Sequence, residues 1–313
     1  MVAFPVTRIA HIASEERGPA WLVESLWTEQ AVGFVGGTPK SCKTWLALEL
    51  AVAVASGVPC LGRFRVHQRG HVLLYAAEDT AGAIKHRVAG IASARRVPLE
   101  HLAVGLITTP SLQLDHPDDQ ERLMQTVARF KPKLLVLDPL VRLHRGDENS
   151  AADTSALLGF LRQLQREHAV AVAVVHHVRK TAASQPGQAL RGSGDLHAWS
   201  DSSLYLLRRK ASLELHAEHR NHPSPAPLVV ELQGEPTPHL CITGSLGDDG
   251  DMTDTDLLPR VLAAVRATPM TRAALREQLG VRNETLGHAL TALEAQARIH
   301  RRDGLLAVPD SVS

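Results

Sequence analysis

At 313 residues the chain has room for one large domain and a small second one. Its 34 Lys and Arg against 33 Asp and Glu exclude a broad nucleic-acid field, so any such partner must be held by local patches. Cys42, Cys60 and Cys241 are odd in number and far apart, which excludes a disulfide framework, and no apolar run reaches the roughly 20 residues of a membrane span. The N-terminus lacks the order of a signal peptide, so a cytoplasmic protein without membrane contact is expected.

The first thirty residues read as an irregular N-terminal segment in which the apolar stretch 21–27 leads to a strand at 31–35. Short apolar runs at 71–76, 134–137 and 170–175 then alternate with helical patterns at 80–94 and 154–168. Such alternation predicts an α/β fold with a mostly parallel sheet and crossover helices. Segments 203–207 and 213–217 extend that sheet as a hairpin, closing a core domain over 31–243. Composition shifts at 244–256, a Gly/Asp/Ser/Thr stretch expected to be a linker. Beyond it, helices at 257–267, 271–279 and 283–297 and a hairpin at 299–308 predict a small winged helix-turn-helix domain over 257–313. Thr271 and Asn283 suit N-caps, and Gly280 suits the stop between them.

The stretch Gly37-Thr38-Pro39-Lys40-Ser41-Cys42-Lys43-Thr44 fits the phosphate-loop pattern G-x4-G-K-[ST], with Cys42 in place of the second glycine. It lies between a strand and a helix, where successive backbone N–H groups and the helix N-terminus can surround phosphates. Lys43 adds a charge there and the Thr44 hydroxyl can ligate Mg²⁺, so ATP and Mg²⁺ are the expected cofactors. Asp138 ends the run 134–137 and is placed to hold the Mg²⁺ shell. Glu78 ends the preceding strand and can polarise water near a γ-phosphate. Asp79 competes with it, although Asp79 before Thr80 also reads as a helix N-cap. His176 and His177 end the strand 170–175; His177 is the expected phosphate sensor and His176 a buried neighbour.

In order and spacing these residues resemble RepA-type hexameric replicative helicases, RecA-fold AAA-type ATPases of plasmids and mobile elements. The resemblance covers about residues 20–240 and adds Trp45-Leu46-Ala47-Leu48 after the phosphate loop, Ala77-Glu78-Asp79, Leu137-Asp138-Pro139-Leu140 with Asp147-Glu148-Asn149, His176-His177-Val178-Arg179-Lys180 and Arg191-Gly192-Ser193-Gly194-Asp195. The last is also similar to a segment of DnaB-type helicases, with Asp201 at the matching acidic position. The resemblance implies a ring with single-stranded DNA in its central pore and nucleotide bound between subunits. It implies that Glu78 is the catalytic glutamate and that residues 180–190, with Lys180 and Arg191, form a pore loop on DNA. Arg220 falls at the arginine finger, which reaches a neighbour's γ-phosphate. Glu218 stands where those helicases often carry Lys, leaving Arg208 or Arg209 as alternatives.

The C-terminal segment is locally basic, with Arg272, Arg276, Arg282, Arg298, Arg301 and Arg302 outnumbering its acids. A second helix at 283–297 would enter the major groove of duplex DNA, and Arg301 and Arg302 would hold phosphates. Used instead for protein contacts, the same module would meet replication or mobile-element proteins. Two functions thus stand: a ring helicase or translocase, or an ATP-switched DNA-binding loader or regulator that does not unwind DNA. An aromatic content of 4% argues against single-strand platforms built on base stacking, but not against pore loops that hold the backbone.

Overall fold

The structure, a computed structural model, describes residues 4–11, 20–146, 151–178, 195–209, 212–235, 237–245, 254–279, 283–296, 298–302 and 305–308. The chain divides into two compact units, residues 1–225 with 231–241, and residues 226–230 with 242–313. Among the described residues no helix is long and apolar enough to cross a membrane.

In chain order the first unit begins with a short antiparallel hairpin, β1 (Trp21–Val23) and β2 (Trp27–Thr28). It continues through β3 (Val32–Gly37), α1 (Lys43–Ser56), β4 (Val72–Ala76), α2 (Ala81–Ala94), β5 (Val104–Leu106), α3 (Pro117–Phe130) and β6 (Leu134–Asp138). Then come α4 (Ala151–His168), β7 (Ala171–His177), α5 (Asp195–Trp199), β8 (Ser202–Arg209) and β9 (Ser212–His219), followed by β10 (Leu228–Gln233) and β11 (His239–Ser245), whose residues are divided between the two units. The nine-stranded sheet has the order β11-β10-β9-β8-β3-β7-β6-β4-β5. From β8 to β5 every neighbouring pair is parallel, and β8 pairs antiparallel with β9. Crossover helices explain why β3, β6 and β7 are continuous apolar runs rather than alternating ones: both faces are covered.

Register gathers the polar strand ends on one edge. Gly37 on β3 is opposite His177 on β7, and Ala76 on β4 is opposite Asp138 on β6. The segments after β3, β4, β6 and β7 therefore emerge side by side, where ligands of open parallel sheets bind. The strand β3 can sit this close to β8 because it carries glycines. A Cβ on Gly33 would lie 1.6 Å from the Ser202 carbonyl oxygen, and one on Gly36 2.6 Å from the Tyr205 ring.

Helix α1 is buried almost throughout, Glu49 included. Arg95, just past α2, donates to Glu49 at 3.1 Å and to the Leu240 carbonyl at 2.9 Å, and the Leu240 N–H donates to Glu49 at 3.1 Å. Burial raises the Glu49 pKa while the Arg95 charge opposes the rise. Breaking one partner would strand the other in a dry site. At its end Gly57 takes a positive φ of 83° and donates to Ala53, the usual left-handed stop.

Four expectations need correcting. The cap of α2 is Thr80, whose hydroxyl accepts the Ala83 N–H at 3.2 Å, while Asp79 is taken by Arg87. Helix α3 and strands β5, β10 and β11 lie where none was predicted. Although α3 has Pro117 at its start and Asp118 and Asp119 in its first turn, only Leu123 and Val127 are buried. The expected linker shrinks at both ends, since Gly244 and Ser245 finish β11 and residues 254–256 begin the next helix. The helix that begins at Asn283 stops at Ala295, two residues short of its predicted end at 297.

The second unit contains α6 (Asp254–Ala267), α7 (Arg272–Leu279), α8 (Asn283–Ala295) and an antiparallel hairpin, β12 (His300–Arg302) with β13 (Leu305–Ala307). Leu257, Val261, Leu275, Leu286, Leu290 and Leu306 form its own apolar core. Thr271 caps α7 through the Ala274 N–H at 3.2 Å.

The two kinds of glycine make a paired stability test. Gly159 lies exposed inside α4 with nothing within 4 Å of an added Cβ. Gly159→Ala should stabilise the protein by ~0.5–1 kcal/mol in denaturant unfolding. Gly33→Ala should destabilise it by more than ~3 kcal/mol, because backbone must move to admit the methyl.

Candidate nucleotide site

Between β3 and α1 the chain turns through two residues with left-handed backbone, Lys40 (φ 61°) and Cys42 (φ 64°). That conformation is why glycine is the usual occupant of the Cys42 position: a side chain there costs about 1–2 kcal/mol. Gly37 has no such freedom of replacement, since a Cβ would lie 2.4 Å from Ser41 Oγ and 2.7 Å from the Leu206 carbonyl oxygen. Lys43 opens α1, is 7% exposed, and donates from Nζ to the Thr38 carbonyl at 2.9 Å, folding back over the loop. Burial lowers its pKa, with the charge of Asp138 the largest opposing influence. Burial likewise pushes the Cys42 thiol up, against the pull of Arg208 and Lys43.

Thr44 Oγ1 donates to Asp138 Oδ2 at 2.7 Å, joining the first turn of α1 to the end of β6. Burial raises the Asp138 pKa from 3.8 to about 6; the Thr44 bond opposes the shift and the Asp79 charge adds to it. Glu78 lies at the rim, half-exposed, and accepts from Arg142 Nε at 2.9 Å. Asp79 is held by both ends of the Arg87 guanidinium, at 2.7 and 2.9 Å. His177 faces the same space, whereas His176 is 1% exposed and packs its ring 5.8 Å from Phe34. Together Lys40, Ser41, Cys42, Lys43, Thr44, Glu78, Asp79, Asp138 and His177 line a cavity of about 330 Å³. A hydroxyl and a carboxylate oxygen converging there are the hard donors Mg²⁺ prefers, so the residues fit that ion.

Residues 2–183 match the AAA domain family. The chain belongs to that family. Its fold is also that of solved P-loop ATPases. A solved structure of an isolated ATPase domain aligns at 16% identity over 65% of this chain and 82% of that one, TM-score 0.50. A DnaB-like replicative helicase, solved for its interactions with primase, aligns at 16% over 66% of this chain and 56% of that one, TM-score 0.51. The RadB recombinase aligns at 19% identity over 66% and 88%, TM-score 0.48. Family and fold make this AAA domain chain a RecA-like P-loop ATPase.

Elsewhere on the AAA domain chain, Arg220 lies at the other end of β3. The Asp201 N–H donates to the Val32 carbonyl at 2.8 Å, and Arg220 follows β9 beside it. Its guanidinium donates to the Ala198 carbonyl and approaches Asp201 at 3.4 Å, on the wall of a second cavity of about 310 Å³. Arg208, by contrast, is near enough to the phosphate loop to act on Cys42. Lys180, Arg191 and Arg282, with residues 147–149, lie outside the described residues. Arg301 and Arg302 lie in β12, and their side chains too are outside what is described.

Sequence reasoning quoted Trp45 as a mark of the resemblance without giving it a place in the site, and it missed Arg87 and Arg142. Arg87 left a signal, a charge at helical spacing beside the buried Ile84, Val88 and Ile91 of α2. Arg142 left none, being 64 residues from Glu78 in the chain.

Asp138, half-buried at the end of β6, gives a pH test. Its folded pKa of about 6 lies above the ordinary 3.8, so folding favours the protonated form. That contribution is full below about pH 4 and is lost as pH rises through 6. In nucleotide- and metal-free protein, Asp138→Asn should therefore raise stability by ~1–3 kcal/mol at pH 8 and have much less effect at pH 4.5. Thermal melts of both proteins at the two pH values check this.

Proposed function

We propose that the chain is an ATP-hydrolysing, ring-forming DNA helicase or translocase resembling the RepA-type replicative helicases. The observation that carries the nucleotide chemistry is the Thr44–Asp138 bond beneath the phosphate loop, with Glu78 at the neighbouring strand end. In this reading the loop N–H groups and the α1 N-terminus hold the phosphates of ATP. The Lys43 ammonium leaves the Thr38 carbonyl to meet them. Thr44 and Asp138 would hold Mg²⁺, which when bound would neutralise charge on the phosphate oxygens. Glu78, released from Arg142, takes the proton of the attacking water, and His177 senses the γ-phosphate.

Arg220 is the arginine finger of the proposal. Its place at the end of β3 remote from the loop supports a role at a neighbour's site, as expected for a hexamer with composite sites. Support for DNA comes from the sequence resemblance and from a DnaB-like replicative helicase having this fold. Lys180 and Arg191 would hold single strands in the central pore. The second unit would serve as a winged helix on duplex DNA, with Arg282, Arg301 and Arg302 on phosphates. Its separate apolar core supports independent use.

A strand-displacement assay on forked DNA, run beside ATPase assays with and without single strands, tests the reading. Displacement and stimulation by single strands are expected. Stimulation without displacement would favour the loader, and neither would remove DNA from the proposal. Glu78→Gln should still bind Mg·ATP yet hydrolyse it at least about a hundredfold more slowly, since general-base assistance contributes roughly 10²–10⁴.

The ring makes a separate prediction. ATPase activity per subunit should rise with protein concentration, and mixing Arg220→Ala with Glu78→Gln subunits should restore part of the activity. A flat concentration profile in a protein that sediments as a monomer with ATP would sink the ring.

A further inference from the structure

Glu78 belongs to two cavities. It lines the nucleotide cavity, and it also lines a second one of about 360 Å³ with Tyr75, Pro110, Ser111, Gln113 and Arg142. That volume is within the range of small-ligand pockets. The two are joined by a single ion pair, in which Glu78 Oε1 accepts from Arg142 Nε at 2.9 Å.

Arg142 is held in place by its neighbours rather than by that pair. It ends the short turn Leu140–Arg142 that follows Asp138, and Leu140 and Leu143 on either side are buried. Gln113 Nε2 donates to the Arg142 carbonyl at 3.1 Å, and the Leu114 N–H donates to the Leu143 carbonyl at 2.6 Å. The side chains of the pair are open by contrast: Arg142 is 60% exposed and Glu78 51%, so the pair is weak and its partners can be exchanged. Among the described residues the guanidinium bonds only through Nε. Its two terminal nitrogens are left to an oxyanion, which they suit by geometry and charge. Beside it the Ser111 hydroxyl lines the cavity, and Gln113 Oε1 is buried with no donor among the described residues.

We propose that this second cavity is an effector subsite for single-stranded nucleic acid, where a backbone phosphate draws Arg142 away from Glu78. It rests on the reading of the chain as an ATPase that acts on DNA, and it adds the contact through which a strand reaches the hydrolysis step. The phosphate and Glu78 compete for one positive charge. An unpaired base also presents N–H donors, which Gln113 Oε1 lacks and which a duplex keeps engaged. Arg142 is then a positioning residue with two states. Paired, it holds the Glu78 carboxylate at the rim; drawn away, it leaves Glu78 to the attacking water.

Steady-state hydrolysis by the full chain, with and without a single-stranded oligonucleotide, tests this because the two rates should move in opposite directions. Without strand, Arg142→Ala should raise kcat about two- to fivefold, the factor expected for losing one exposed ion pair, and leave KM for ATP within about twofold. With strand, the same variant should lose most of the stimulation. Arg142→Lys should recover part of both effects, since it restores the charge without the fork. Ser111→Ala should raise the strand concentration for half-maximal stimulation about tenfold, the cost of one hydrogen bond to a charged group. A merely structural arginine would lower both rates together, and that result, or full stimulation in Arg142→Ala, overturns the proposal. If wild type shows no stimulation by strands while Arg142→Ala still raises the basal rate, the DNA reading fails and the occupant of the cavity is not nucleic acid.

Discussion

The hydrogen bond between Thr44 and Asp138 is the contact on which the rest of the site depends. It fastens the first turn of α1 to the end of β6 across 94 residues of chain, and it does so with a carboxylate that burial has made reluctant to ionise. An isolated buried acid would be expensive to keep. Here the Thr44 donor and the Lys43 charge offset part of that cost, and Lys43 is itself held by the Thr38 carbonyl. Lys43, Glu78 and Asp138 thus each have a partner, and Asp79 is held by both ends of the Arg87 guanidinium. In the proposed reading a phosphate would take over the Lys43 ammonium and a divalent cation the Thr44 and Asp138 oxygens, so binding would replace contacts rather than build the site afresh.

Such exchange needs a frame that stays still, and α1 supplies it. Nearly every residue of the helix is buried, and Glu49 at its middle is locked by Arg95 and the Leu240 N–H. On the other side, β3 fixes where the loop begins. Its glycines admit the Ser202 carbonyl, the Tyr205 ring and the Leu206 carbonyl at distances no side chain would permit. With the strand and the helix both immobilised, the left-handed turns at Lys40 and Cys42 have little room to relax. A cysteine can then occupy a glycine position because its surroundings over-determine the backbone.

Much of this was legible in the sequence, for a definite reason. The strands that build the site are buried on both faces, so each is an unbroken apolar run, and the first polar residue after the run marks the edge where chemistry happens. Glu78 and Asp138 were picked out on that ground and the phosphate loop by its spacing, and the structure brings them to one cavity; His177 is the second polar residue after its run, the first being the buried His176. What was not readable depends on pairing between distant elements. Arg142 reaches Glu78, and Arg162 reaches Asp201, through contacts that leave no local period. Helix α3 buries two apolar residues in fourteen, too narrow a stripe for the 3.6-residue period to show. The strands β10 and β11 follow a Pro-rich stretch that masks their start.

Asp201 shows how the two ends of β3 differ. Its carboxylate accepts from the Val32 N–H at 3.2 Å and from Arg162 at 2.5 Å, and Arg220 lies 3.4 Å away. This cluster sits where β3 begins, and the phosphate loop sits where β3 ends. Five residue steps of strand separate them, roughly 17 Å. An arginine docked at the first end cannot meet a phosphate held at the second end of the same chain. Arg208 stands at that second end, since β8 runs parallel to β3 and Leu206 stands opposite Gly37. If Arg220 completes a nucleotide site, that site belongs to another subunit, and Arg162 through Asp201 sets the angle from which it is presented. Hydrolysis would then report on whether a neighbour is in place, which is the property a ring motor requires of its subunits.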